Sequence, residues 1–190
     1  RSLVGAFGAA GVREFKEFYA VKALPNPAVL QIVKREGCGL DCSSAGELWI
    51  AAKLGFAGEQ VMYTSNYTSK ADLAVAVRNG VIINLDDGSL VQSLAEVCAE
   101  QKLKFPELLC FRLNPGTGNT GSETKSNLLG GPSAKFGVPP DAIEQAYRDA
   151  IKHGAKRFGI HMMTGSCVMD TDYWGVAVGK LLDTAVELQR

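Results

Sequence analysis

Several ingredients are scarce in these 190 residues, and each scarcity removes a class of protein. No apolar run approaches the roughly 20 residues of a membrane-spanning helix, so no membrane partner is expected. No basic stripe is visible, and 20 Lys and Arg balance 20 Asp and Glu, which argues against a nucleic-acid partner. The opening residues, Arg1 to Phe7, are too short and ragged for a secretion signal. They read as the tail of a helix already under way, and the closing "LLDTAVELQR" reads as a helix cut in its middle. Residues 1–190 are therefore expected to be a piece of a longer chain. Cysteine is limited to five positions, 38, 42, 98, 110 and 167. Cys38 and Cys42 have no second pair of similar spacing, which argues against a zinc site, and no metal is expected. The odd count fits free thiols in a reducing cytoplasm.

What is present has a rhythm. Short β-rich runs at 17–22, 39–42, 61–65, 81–85, 108–113 and 157–162 alternate with stretches of helical period at 27–36, 44–55, 69–79, 88–102, 139–153 and 171–189. Strands alternating with helices of this length predict βαβ units and a parallel sheet. Nearly continuous apolar strands predict burial on both faces. Ser44-Ala45-Gly46-Glu47 has the S-x-x-E form of a capping box, and Ser69-Lys70-Ala71-Asp72 is a weaker version. Gly37, Gly55, Gly80 and Gly154 stand where helix C-terminal glycines belong. One irregular segment, Asn114 to Pro132, breaks the rhythm; loops of that length are usually functional or mobile. Six βα units fit six-eighths of a (β/α)8 TIM barrel, which typically takes about 250 residues, or a doubly wound open sheet. Pattern alone does not choose between them. No G-x-x-x-x-G-K-[ST] sequence supports a P-loop nucleotide site.

Polar residues gather at the C-terminal ends of the strand candidates. The first ends in Lys22, the second in Asp41-Cys42-Ser43-Ser44, the third in Thr64-Ser65-Asn66. The fourth ends in Asn84-Leu85-Asp86-Asp87, the fifth carries Arg112 and Asn114, and the sixth carries His161 and leads to Thr164-Gly165-Ser166. In parallel α/β folds that edge is where ligands bind. One polar strand end means little, since strands must end in water somewhere; six in a row form a constellation. A lysine in a desolvated pocket has a lowered pKa, so part of it is a free amine that attacks aldehydes to give a Schiff base. Pyridoxal 5′-phosphate is such an aldehyde, and an electron sink. Its phosphate needs N–H and hydroxyl donors, which Gly165-Ser166 can supply just before the last helix. Arg112 can hold an anionic oxygen by paired donors.

With these residues in view, "FYAVKALPNP", "GLDCSSAGEL" and "AKFGV" together resemble the alanine-racemase-like barrel of the group IV decarboxylases. These pyridoxal 5′-phosphate enzymes include diaminopimelate, ornithine and arginine decarboxylases, and order and spacing look most like the first. The resemblance runs from about Phe15 to the end of the chain. It implies a partial (β/α)8 TIM barrel of the alanine-racemase type with about six βα units, strands seven and eight and the C-terminal β-domain being absent. Residues 1–190 would then be one incomplete cofactor-binding barrel domain. The resemblance places the Schiff-base lysine at Lys22, a cofactor neighbour at Asp41, the arginine that ends the fifth strand at Arg112 and a common family lysine at Lys135. The sixth strand departs from the pattern. In "HMMTGS", Met163 stands where the family usually has a histidine stacked on the cofactor ring, and His161 reads as the retained first of two histidines. The family's glycine-rich phosphate site, the acidic residue facing the pyridine nitrogen and a catalytic cysteine from a partner subunit lie further along than this sequence reaches.

The resemblance implies a decarboxylase that takes a small-molecule amino acid, meso-diaminopimelate, to L-lysine and CO2 in a cytoplasmic homodimer. Lys22 would be catalytic and would hold the cofactor, with Asp41, Arg112, His161 and Ser166 positioning it and the loop 114–132 helping to shape the substrate entrance. Alternatives on the same fold are an ornithine or arginine decarboxylase, a racemase, or a non-catalytic decarboxylase-like regulatory protein. Loss of the stacking histidine favours the last, and retention of Lys22 argues against it. The 190 residues alone are expected to be inactive, because missing strands leave unpaired sheet edges and exposed apolar surface. Each candidate also has a plainer reading. Lys22 can simply mark a strand reaching water, Glu47 can be a capping residue, Arg112 an ion-pair partner, His161 a core histidine, and Ser166 a helix start. Cys42 and Cys167 read as unreactive small residues.

Overall fold

Helix starts follow their local chemistry. In the computed structural model, which describes residues 2–116, 131, 134–165 and 168–189, the Asn26 side chain accepts the Ala28 N–H at 2.9 Å and Pro27 occupies the first helical position. An N-cap acceptor followed by proline is the favoured way to begin a helix, because proline's missing N–H would have had no partner there. The chain forms two units, Arg1–Ile83 and Asn84–Arg190, and the division falls inside the fourth strand.

The first unit runs α1 (Ser2–Ala9), β1 (Phe18–Ala20), α2 (Pro27–Arg35), β2 (Gly39–Cys42), α3 (Ala45–Lys53), β3 (Val61–Ser65) and α4 (Lys70–Arg78), then enters β4 (Ile82–Leu85). β1 and β2 pair in parallel, as do β2 and β3. Leu40 and Cys42 of β2 and Val61 and Tyr63 of β3 are fully buried with Leu48, Ala51 and Leu73 of the helices. Side chains alternate along a strand, so Asp41 and Thr64 point to the opposite face. Gly39 lies against β1 so closely that a Cβ there would stand 2.6 Å from the Phe18 ring. Lys34 of α2 donates to the Leu54 and Gly55 carbonyls at 2.8 Å each, satisfying the end of α3.

The start of α4 is more than a weak capping box. Ser69 Oγ accepts the Asp72 N–H at 3.2 Å, and Asp72 Oδ2 accepts both the Ser69 N–H at 3.3 Å and its hydroxyl at 2.6 Å. Asp72 Oδ1 also accepts the Ala45 N–H at 3.2 Å, tying the first turn of α4 to that of α3. Asp72→Ala should therefore cost more than a local cap, about 1–2 kcal/mol. The check is the urea midpoint of the whole protein, which falls with the slope unchanged.

The second unit continues from β4 through α5 (Leu90–Glu100), β5 (Leu108–Leu113), α6 (Ile143–Lys152), β6 (Arg157–Met162) and α7 (Thr171–Leu188). β5 and β6 pair in parallel, Arg112 opposite His161. Tyr147 of α6 meets the edges of Phe111 and Phe158, with ring centroids at 4.9 Å and 5.6 Å, and its hydroxyl donates to the Gly159 carbonyl at 2.7 Å. Phe111 and Phe158 thus face the helix, and alternation turns Cys110, Arg112, Gly159 and His161 to the other face. α7 leaves Trp174, Val176, Val178, Leu182 and Val186 exposed.

Hydrogen-bonded strand order follows chain order, β1 to β6. A doubly wound sheet reverses its order partway, so of the two α/β architectures left open by the sequence this one has the barrel order. Boundaries differ slightly from the sequence expectation. β1 stops at Ala20, and Val21–Ala23 form a single 3-10 turn, so Lys22 follows the strand instead of ending it. α6 begins at Ile143, after Pro139 and Pro140, because Val138 is drawn into a bridge with Leu113. Among the described residues no helix is long and apolar enough to cross a membrane.

Candidate functional site

In the first unit the site builds outward from β2. Register sets Asp41 opposite Ala20, two residues before Lys22. Burial raises the Asp41 pKa above its ordinary value, and the charge of Glu47 adds to this; the Thr64 side chain and the charge of Lys22 pull the other way without prevailing. Thr64 lies close enough to favour the charged carboxylate, yet no hydrogen bond of ordinary geometry joins the two. Asp41 Oδ1 and Thr64 Oγ1 are both buried without a partner. Lys22 is exposed, which departs from the desolvated pocket expected around it. Its ammonium stands near a carboxylate whose own hydrogen bonding is incomplete.

Ser44 caps α3, but Glu47 reaches one residue past it, so only one arm of the expected capping box forms. The Glu47 carboxylate accepts the Ser43 N–H at 2.7 Å and the Ser43 hydroxyl at 3.2 Å, while Ser44 Oγ accepts the Glu47 N–H at 3.3 Å. Cys42 is pushed up to about 12 by burial, with the Glu47 and Asp41 charges adding to it. A thiol held that high is not a nucleophile at neutral pH, in keeping with an unreactive small residue.

In the second unit Arg112 is buried in an ion pair. Its Nη1 donates to Asp86 Oδ1 at 3.0 Å, and the Phe136 ring lies over the guanidinium at 4.9 Å. His161, opposite Arg112 on β6, is pushed down to about 4, first by burial and then by the Arg112 charge. It is therefore an uncharged ring at neutral pH, and its Nδ1 is buried without a partner. Asn84, 2 % exposed, has neither Oδ1 nor Nδ2 paired. Met163 is 37 % exposed just beyond β6. Thr164 and Gly165 are buried, and the Tyr173 hydroxyl donates to the Thr164 carbonyl at 2.8 Å. Ser166 and Cys167 lie outside the described residues, as does most of the loop 114–132. Lys135 is exposed with its ammonium 5.2 Å from the Phe136 ring centre.

Of the residues singled out in the sequence, Lys22 and Asp41 are neighbours in the first unit, and Arg112 and His161 are neighbours in the second. Sequence reading noticed Asn84, Asp86 and Thr64 as strand ends but gave them no part in the site. The available signal was alternation, which puts Asn84 and Asp86 on one face of the chain leaving β4. Among the described residues no group of three His, Cys, Asp or Glu side chains is arranged to hold a metal ion. A groove of about 680 Å³ lined by Tyr147, Ile151, Phe158 and Leu188 lies on the helix-facing side of β6, the face opposite His161.

Buried polar atoms are normally paired. Asp41 Oδ1 and Thr64 Oγ1 in one unit, and Asn84 and His161 Nδ1 in the other, are donors and acceptors left for something else. Pyridoxal 5′-phosphate, a heteroaromatic ring with polar edges, carries donors and acceptors that suit groups of this kind in either unit.

Residues 6–190 match the family model described as the pyridoxal binding domain of pyridoxal-dependent decarboxylases. Protein TabA of Pseudomonas amygdali pv. tabaci is 39% identical over 150 residues, 78% of this chain and 33% of that protein. Diaminopimelate decarboxylase of Methanothermobacter thermautotrophicus is 36% identical over 171 residues, 90% of this chain and 38% of that protein. Among solved structures, diaminopimelate decarboxylase from M. jannaschii in co-complex with L-lysine superimposes with a TM-score of 0.82 at 25% identity, over 98% of this chain and 44% of that one. The chain thus spans 33% and 38% of the length of these two curated relatives.

Proposed function

This chain belongs to the pyridoxal-dependent decarboxylases, and from that premise we propose that the whole protein is an amino-acid carboxy-lyase that converts meso-diaminopimelate to L-lysine and CO2. The observation that carries the reading is the Lys22–Asp41 neighbourhood. A primary amine with access to solvent follows β1, and beside it the half-buried Asp41 carboxylate has a buried Oδ1 without a partner. The similarity to diaminopimelate decarboxylases supports the choice of substrate.

In this reading Lys22 Nζ is the nucleophile that binds the cofactor covalently, and Asp41 orients that end of the site. Bound pyridoxal 5′-phosphate supplies an electron-poor ring that accepts the electron pair left when a carboxylate leaves as CO2. Arg112 presents a fixed positive charge. His161 contributes an uncharged ring that takes no proton at neutral pH. Ser166, with the Gly165 backbone, is proposed to hold the phosphate, since three acceptor oxygens call for N–H and hydroxyl donors. The whole protein is further proposed to be a cytoplasmic homodimer.

Met163 favours a second reading, a decarboxylase-like protein that binds a partner without catalysis. A thioether packs on a ring but neither donates a hydrogen bond nor carries charge. One experiment separates the two. The whole protein is loaded with pyridoxal 5′-phosphate and assayed for CO2 release from meso-diaminopimelate, ornithine, arginine and lysine. Release from the first alone is expected. Release from another names a different decarboxylase, and cofactor binding with no release from any supports the second reading.

A further inference from the structure

Arg112 is held from three sides, and one carboxylate joins two of them. Asp86 Oδ1 accepts from Arg112 Nη1 at 3.0 Å, and Asp86 Oδ2 accepts the Gly137 N–H at 3.2 Å. The side chains of both ion-pair partners are about nine-tenths buried, at 9% and 10% exposure. Phe136 covers the guanidinium face at 4.9 Å. The segment carrying Phe136 and Gly137 is itself anchored to β5, because the Val138 N–H donates to the Arg112 carbonyl at 2.7 Å and the Asn114 N–H donates to the Val138 carbonyl at 2.8 Å. Gly137 has φ +83°, and a Cβ there would stand 2.9 Å from Asn114 N and 3.1 Å from Arg112 O. Only glycine allows the backbone to pass so close and still turn its N–H to the carboxylate.

A long flexible side chain gains little by being charged if it wanders. Its fork must be pre-aimed for a ligand to benefit. We propose that Asp86 is a positioning residue for the pyridoxal site: its carboxylate, shared between Arg112 and the Gly137 N–H, aims the guanidinium and clasps the 134–138 segment over it. This rests on the reading that Arg112 bears on the bound cofactor. His161, opposite Arg112 in the β5–β6 ladder, would feel any loss of that aim.

The test uses the whole protein and reads cofactor affinity and the visible absorbance of bound pyridoxal 5′-phosphate, with melting temperature followed in parallel. Arg112→Met should weaken cofactor binding about 10–100-fold, the range for a lost charged hydrogen bond. Asp86→Asn should reproduce most of that loss, and the double variant should be no worse than Arg112→Met alone. Asp86→Glu, which keeps the charge, should recover part of the affinity. Phe136→Leu should give a smaller loss in the same direction, and with Asp86→Glu it decides the matter if Asp86→Asn does not fold. A purely structural Asp86 would lower the melting temperature and leave affinity and spectrum at wild-type values while Arg112→Met loses both. That result overturns the proposal and keeps the reading of Arg112. Wild-type affinity and spectrum in Arg112→Met would remove that reading, and the proposal with it.

Discussion

Lys22→Ala in the whole protein abolishes the visible absorbance of bound pyridoxal 5′-phosphate and lowers decarboxylation by about 10³-fold or more, the scale on which removal of a covalent catalyst is felt. The fold should hardly notice. Lys22 is exposed in a single 3-10 turn, and substitutions at such places usually change stability by no more than about 0.5 kcal/mol. The combination is diagnostic, since a surface lysine would lose neither property and a structural one would lose stability first. Lys22→Arg sharpens the test. It keeps the positive charge beside Asp41, but a guanidinium does not deprotonate and cannot act as the amine nucleophile. Arginine should therefore restore electrostatics and not the absorbance. If Lys22→Ala keeps the band, Lys22 is scaffold and the covalent attachment lies elsewhere.

The second large effect is acid sensitivity centred on His161. Its folded pKa is about 4 against an ordinary 6.5. Unfolded chain takes up a proton as pH falls below 6.5, while the folded protein refuses one until about 4, so stability drops across that window. The shift corresponds to about 3 kcal/mol once pH is below both values. Asp41 acts in the opposite sense. Its raised pKa means the folded carboxyl binds a proton before the unfolded one does, so its contribution improves as pH falls through the folded value. His161→Gln, which has no charge to take up, should flatten the fall between pH 6.5 and 4, measured as denaturation midpoints across that range. A proton titration by NMR gives the direct check. A His161 ring that titrates near the ordinary 6.5 would defeat the prediction.

The acid window could not be read from the chain. A histidine on an apolar strand fits a core role and a cofactor role alike, because nothing local says whether its nitrogens find partners. The lowered pKa comes first from burial and then from the Arg112 charge across the β5–β6 ladder. The Asp86–Arg112 pair is similar. Both residues were visible at strand ends, yet 26 positions separate them, and neighbouring Asp87 is an equally good carboxylate on paper. Alternation along the chain and the docking of Phe136-Gly137-Val138 onto β5 decide it. Asp72 looked like a weak cap because its bond to the Ala45 N–H crosses 27 positions.

The sequence by itself determined the alternation of strands and helices, the caps at Ser44 and Ser69, and the polar strand ends from Lys22 to His161. Each is governed by residues within a turn or two, through the periods of 3.6 and 2 and through side chains that bond their own backbone. Only tertiary structure decided which carboxylate holds Arg112, why Gly137 must be glycine, and that Lys22 stands in solvent while Oδ1 of half-buried Asp41 beside it is shut away from water. Those are matters of desolvation and of contacts between distant segments, and burial depends on what the rest of the chain brings to the spot.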